Sequence, residues 1–198
     1  GAILSIKLIN QYPAYLLMSP VKPENKPRET QTQRGFSFTI AAAKVLSPVI
    51  YGNPVNELPG EVKEYLRSRY GEEKLQHMDF VIPRAEHPIT HQLMAYIPGT
   101  AAYAALKIAA GLAGKPIEVP GSVIGLYFPE SMVTAKTFYI RKADKPALMI
   151  AEVIYPSTTT GQLVVLGDLP QEFKVSAIQL GKWKKKGFGL IELNWLSP

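Results

Sequence analysis

"YIPGTAAYAALKIAAGLAGK", residues 96–115, is the stretch on which the reading of the fold turns. Thr100 has the side chain of a helix N-cap, and residues 101–113 are strong helix formers, apolar on nearly every face. Gly111 and Gly114 supply the stop. A helix apolar all round is expected to be buried on more than one side. What surrounds it in sequence reads mostly as strand. "MVTAKTFYIRK", "ALMIAEVIY", "QLVVLGDL" and "EFKVSAIQL" fill the C-terminal half. "GFGLIELNWL" then closes the chain, with Ile191, Leu193 and Trp195 on one face and Glu192 and Asn194 on the other. Toward the N-terminus, "AILSIKLI" (2–9) reads as a first strand. "GFSFTIAAAKVL" alternates Phe36, Phe38 and Ile40 against Ser37 and Thr39, and is expected to turn helical at its alanines. A short surface helix is expected near 60–70, entered at Pro59-Gly60 and ended by Gly71. Many strands with one buried central helix and one lesser helix make an α+β protein.

A chain of 198 residues with 46% hydrophobic content can bury a core as a single domain, 1–198. The stretch "SPVKPENKPRETQTQRG" (19–35) carries Lys22, Glu24, Lys26, Arg28 and Glu29 between prolines and reads as a loop or arm. Residues from about 41 to 95 are the least regular, so an inserted lobe or arm is expected within 19–95. The absence of cysteine excludes disulfide scaffolds, thiolate zinc sites and cysteine nucleophiles. That absence, with 17 prolines, leans toward a thermophile. No leader and no apolar run of the ~18–20 residues that a membrane span needs is found, so the expected location is the cytoplasm. Opening on Gly1-Ala2 reads as a processed end.

The charge balance is basic, 22 Lys and Arg against 16 Asp and Glu for a net +6, which makes a polyanion a plausible partner. The clearest basic feature is "LGKWKKKGFGLIEL" (180–193). Gly181, Gly187 and Gly189 allow a backbone to approach a bulky anion, and Lys182, Lys184, Lys185 and Lys186 supply the charge. Trp183 and Phe188 lie among them, and Trp183 is placed to stack on an unpaired base. A solvated basic turn with turn-forming glycines accounts for the same composition. A second anion site is the helix start at Gly99-Thr100, where N–H groups meet the positive end of the helix dipole; an ordinary cap on a core helix is its plain alternative. His87 and His91 are spaced for a shared metal on a helix, but Pro88 breaks that reading, and no metal or other cofactor is expected. His77, His87 and His91 remain candidates for a general base, with nothing adjacent to single one out. The carboxylates Asp79, Asp144 and Asp168 are isolated in sequence. Arg28 and Arg34 on the 19–35 arm are further candidate contacts for a nucleic-acid strand.

Two of these stretches together resemble one family. "YIPGTAAYAALK", with Ile97, Pro98, Gly99, Thr100 and Lys107, is similar to the Ile-Pro-Gly-Ser/Thr motif that opens the first helix of many RAMP-superfamily proteins of CRISPR systems. The run from Gly181 through Lys182 and Lys184–Lys186 to Gly187, Phe188 and Gly189, followed by a strand, resembles that superfamily's C-terminal glycine-rich loop. The resemblance implies a ferredoxin-like or RRM-like antiparallel sheet with a buried central helix. It also implies CRISPR RNA as a single-stranded ligand and other CRISPR effector subunits as partners. No match is found for the early-loop aspartate of the target-cleaving backbone subunits, nor for an assignable processing histidine. The expected role is therefore a non-catalytic RNA-binding subunit of an effector ribonucleoprotein, with no membrane partner. A metal-independent endoribonuclease processing CRISPR transcripts and a structural subunit for protein–protein assembly are the alternatives.

Overall fold

The alternation in "FTIAAAKV" continues through the alanines as strand: β1 spans Phe38–Val45, with Ala41, Ala43 and Val45 buried and Lys44 exposed. Pairing on both sides, with Ala41 opposite Leu163 and Trp195, overrides the helix preference of alanine that sequence reading followed. These observations come from a computed structural model describing residues 37–114 and 122–196. The expected strand 2–9 and the arm 19–35, with Arg28 and Arg34, lie outside the described residues.

After β1 the chain makes two helices, α1 (Gly60–Tyr70) and α2 (Glu72–Gln76), separated by Gly71 as expected. Strands β2 (Arg84–Glu86) and β3 (Leu93–Pro98) follow, then α3 (Gly99–Ala109) and β4 (Ser122–Phe128). A long hairpin comes next, β5 (Val133–Lys142) and β6 (Lys145–Ile154). The chain finishes with β7 (Gly161–Leu166), β8 (Ala177–Gln179) and β9 (Leu190–Trp195). Among the described residues, seven strands form one sheet in the order β2-β3-β4-β7-β1-β9-β8, while β5 and β6 pair only with each other as strands. Every strand pair is antiparallel.

The inner four strands, β4-β7-β1-β9, have the order 2-3-1-4 when numbered along the chain, which is the ferredoxin-like arrangement in an α+β protein. Two features depart from the idealised fold. Helix α3 joins the adjacent antiparallel strands β3 and β4 instead of crossing directly from β1. Between β7 and β9 a 3-10 turn (Gln171–Phe173) and the short β8 occupy the place of a second helix.

One face of the sheet, bearing Ala41, Ala43, Ile97, Leu126, Leu163, Val165, Ile191 and Leu193, packs with Ala102, Ala105 and Leu106 of α3 in the main core. The alternation expected for β9 is borne out: Ile191 and Leu193 are buried, and Glu192 and Asn194 are exposed. Helix α3 differs from expectation. It ends at Ala109 rather than 113, and it buries one side only, leaving Ala104, Ala109 and Ile108 (59% accessible) exposed among the described residues. Between β1 and β2, Leu58, Val62, Leu66, Leu75, Met78 and Val81 form a small apolar cluster of their own. Ala135 and Ile150 of the hairpin pack against it.

Candidate nucleic-acid interface

The loop 181–189 is a tightly tied structure rather than an open basic turn. The Leu180 N–H donates to the Gly189 carbonyl at 3.0 Å, and the Gly189 N–H donates to the Pro48 carbonyl at 2.8 Å. The Lys182 N–H reaches the Ile50 carbonyl at 2.8 Å, and the Gln179 side-chain amide donates to the carbonyls of Lys184 and Phe188. Gly189 has φ +85°, and a Cβ there would stand 1.9 Å from the Leu180 carbonyl oxygen, so only glycine fits. Lys184–Lys186 form one 3-10 turn with all three side chains exposed. The N–H groups of Gly187 and Gly189 are spent on Lys184 and Pro48. Charge on the lysines, and not glycine N–H groups, is thus what these two residues leave available to an anion.

Aromatic packing ties the loop to the hairpin. Phe138 of β5 meets the Trp183 ring edge-on at 5.2 Å, Phe188 meets Trp183 at 5.5 Å, and Phe138 and Phe188 stand 6.4 Å apart. Lysines lie on the same rings: Lys186 over Trp183 at 5.1 Å and Lys136 over Phe138 at 5.9 Å, while Lys182 sits over Phe80 at 4.3 Å. Trp183 is therefore half-buried and engaged, not the free platform expected for a base. It adopts the left-handed conformation, φ 61°, and its carbonyl accepts from the Lys186 N–H at 2.9 Å and the Phe188 N–H at 3.3 Å.

An open groove of about 780 Å³ runs between hairpin and loop, lined by Phe138, Tyr139, Ile140, Arg141, Pro146, Trp183, Lys186 and Phe188. Tyr139 is 88% exposed and stands opposite Leu148 (59%) in the hairpin register. It is the open aromatic surface here, and sequence reading missed it. The signal was present in "KTFYIRK", where a strand places two successive rings on opposite faces: Phe138 turns to the loop and Tyr139 to solvent.

The other expected site residues lie elsewhere. Pro98, not Thr100, caps α3; Thr100 is exposed and makes no capping hydrogen bond. Gly99 is buried, and a Cβ there would stand 1.9 Å from the Val123 carbonyl oxygen, so its glycine serves the approach of helix to β4. Val123 pairs with Val165, which pairs with Thr39 near the start of β1, whereas the basic loop bonds to Pro48 and Ile50 beyond the end of β1. The two expected anion sites are thus at opposite ends of the sheet. Lys107 lies over its own helix neighbour Tyr103 at 5.6 Å.

None of the histidines lines the groove. His87 is buried in a turn, not a helix: its Nδ1 accepts from the N–H groups of Ile89 and Thr90, and its Nε2 lies 2.6 Å from Gln162 Oε1. Nδ1 is an acceptor, so Nε2 carries the proton and the ring is neutral. Burial holds its pKa below the usual histidine value, with His91 adding to the effect and the Gln162 bond opposing it. His91 is exposed and 3.2 Å from Glu86, and His77 is exposed just after α2. No metal-competent cluster occurs among the described residues.

Sequence reading also missed a buried ionic network. Arg84 is fully buried and grips Glu152 through two bonds, 2.9 and 2.7 Å, and Glu130 through two more, 2.5 and 3.2 Å. Glu152 also accepts from the Ile82 N–H at 2.8 Å and from the Tyr70 hydroxyl. Arg69 pairs with Glu130 and donates to the Val133 carbonyl at 2.6 Å. Burial alone would raise the Glu152 carboxyl, but Arg84 and these hydrogen bonds outweigh it and hold its pKa below the usual value.

No protein-family model matches the chain, and no curated protein matches it. Among solved structures, the chain is similar to one in "Cryo-EM structure of the Type III-B Cmr-beta bound to cognate target RNA". The TM-score is 0.33 at 11% identity, over 80% of this chain and 97% of that one. No helix among the described residues is long and apolar enough to cross a membrane.

Proposed function

We propose that the protein is a non-catalytic subunit of a multisubunit CRISPR effector ribonucleoprotein that grips CRISPR RNA by its backbone. The observation that carries this reading is the joining of the lysine loop to an aromatic-lined hairpin across one open groove. Lys184, Lys185 and Lys186 present exposed charge that draws phosphates, while Tyr139, on the solvent side of the hairpin at the edge of the groove, offers a ring to an unpaired base. Such a surface suits a single strand, whose bases are free to stack and whose backbone follows the charge. A binding role, not a cleaving one, is favoured by the groove's lining, which holds no imidazole or carboxylate. The RAMP resemblance of residues 97–100 and 181–189 supports CRISPR RNA as the ligand and effector subunits as partners.

The test is binding to single-stranded RNA across a salt titration, with RNA integrity followed in the same samples. Changing Lys184, Lys185 and Lys186 together to Ala should flatten the salt slope by about 2 units, at ~0.7 for each phosphate no longer neutralised. Tyr139→Ala should weaken binding by about 1–3 kcal/mol with the slope unchanged, as expected when stacking is removed. An unaltered slope in the triple variant would remove the loop as a binding surface, and RNA cut at one position would replace binding by cleavage.

A further inference from the structure

We infer that Arg84 is a positioning residue for the groove: it locks both legs of the β5–β6 hairpin at their root, so that Phe138 stays against Trp183. The consequence for RNA rests on the reading proposed above. A two-stranded hairpin is marginal by itself in water and needs an anchor. Glu130 lies on the 3-10 turn immediately before β5, and Glu152 lies in β6 opposite Ala135. One guanidinium with no exposure to solvent holds both carboxylates. The strap leading to Arg84 is bonded to the same leg along its length. The Asp79 N–H donates to the Ile150 carbonyl (2.7 Å), the Ile150 N–H to Asp79 Oδ2 (2.9 Å), and the Glu152 N–H to the Phe80 carbonyl (3.0 Å). Phe80 in turn carries Lys182 of the basic loop on its ring at 4.3 Å. Residues 79–84 therefore touch the hairpin root at one end and the basic loop at the other.

Lysine in place of Arg84 keeps the charge but lacks the planar fork that serves two carboxylates at once. The hairpin root should loosen, and the groove with it, while the loop lysines remain. The experiment uses the full chain with Trp195→Phe, leaving Trp183 as the single tryptophan of the two present. Acrylamide quenching of Trp183 is measured without RNA, and RNA affinity is measured across salt. Arg84→Lys should make Trp183 more quenchable and weaken RNA binding about 2- to 30-fold, the range for indirect coupling, with the salt slope unchanged. Glu130→Gln, which retains the Arg84–Glu152 pair, should do the same in milder form and serves if Arg84→Lys does not fold. Unchanged quenching and affinity in a folded variant with a lower melting temperature would overturn the inference and leave the network a purely structural one. Parent protein that binds no RNA would refute the functional reading alone, because the Trp183 response still decides the coupling.

Discussion

Gly189 and Gly187 lie two residues apart in one loop, with similar φ values of +85° and +91°, yet they carry different constraints. A Cβ at Gly187 meets open space, while one at Gly189 strikes the Leu180 carbonyl oxygen. Gly187→Ala should cost about 1–2 kcal/mol, the left-handed penalty alone. Gly189→Ala should cost that and the clash as well. Urea unfolding of both variants checks this, and equal losses would contradict the close-approach role of Gly189. Acid stability belongs to the same scale. Because the His87 pKa is held down in the folded chain, the unfolded chain binds the proton first. Stability is full above the unfolded value of about 6.5 and falls as pH drops from there through the lower folded value. His87→Asn keeps an acceptor for the Ile89 and Thr90 N–H groups without the titration. Its stability curve should be flatter than the parent's from pH 7 to 5, and parallel curves would exclude His87 as the source. The roles of these residues were partly legible in sequence. The glycine–lysine loop was, because positive-φ turns and charge are local properties. The burial of His87 was not, since it depends on Gln162 and Tyr127, brought close by the sheet.

At the scale of elements, β5 and β6 meet through a two-residue turn, Ala143-Asp144, both with positive φ (53° and 64°) and closed by the Lys142–Lys145 pair. Asn-Gly is the sequence such a turn prefers. Replacing Ala143-Asp144 by Asn-Gly should stabilise the protein by about 1 kcal/mol and leave Trp183 emission unchanged. A calorimetric melt checks it, and a lower melting temperature would show that the native pair is not strained. Strands with clear alternation, β5 and β9, and the continuous apolar run of β7, buried on both faces, were legible in sequence. Strand β8 was overread from "EFKVSAIQL": it is three residues long, and the rest is a 3-10 turn and loop. Helix α3 was overread at its end, because alanine-rich composition extends past the point where Gly111 and Leu112 turn away from the helix. The network centred on Arg84 was invisible, because its members come from α1, β2, a 3-10 turn and β6, spread between residues 69 and 152.

For the whole molecule, the register sets a limit on how one ligand can be held. Thr100 and the lysine loop stand at opposite ends of the sheet, so no short strand touches both. Thr100→Glu should leave binding of an RNA of about 4 nucleotides intact while weakening one of about 16. Equal effects on both lengths would count against a path along the sheet, and no effect on either would confine the interface to the loop and hairpin. The ferredoxin-like arrangement of the inner strands was anticipated through the RAMP resemblance. The way the chain reaches it, with α1, α2 and β2–β3 between β1 and β4, was legible only as an insertion expected within 19–95, because residues 41–95 carry few regular patterns. Among the described residues, the seven-stranded sheet ends in a three-residue strand at each margin, β2 and β8. At about 3.4 Å per residue, each offers a neighbouring copy hardly 10 Å of backbone to pair with. Such blunted margins resist runaway polymerisation, so even a concentrated solution of the protein carries little hazard of fibre growth through these two edges.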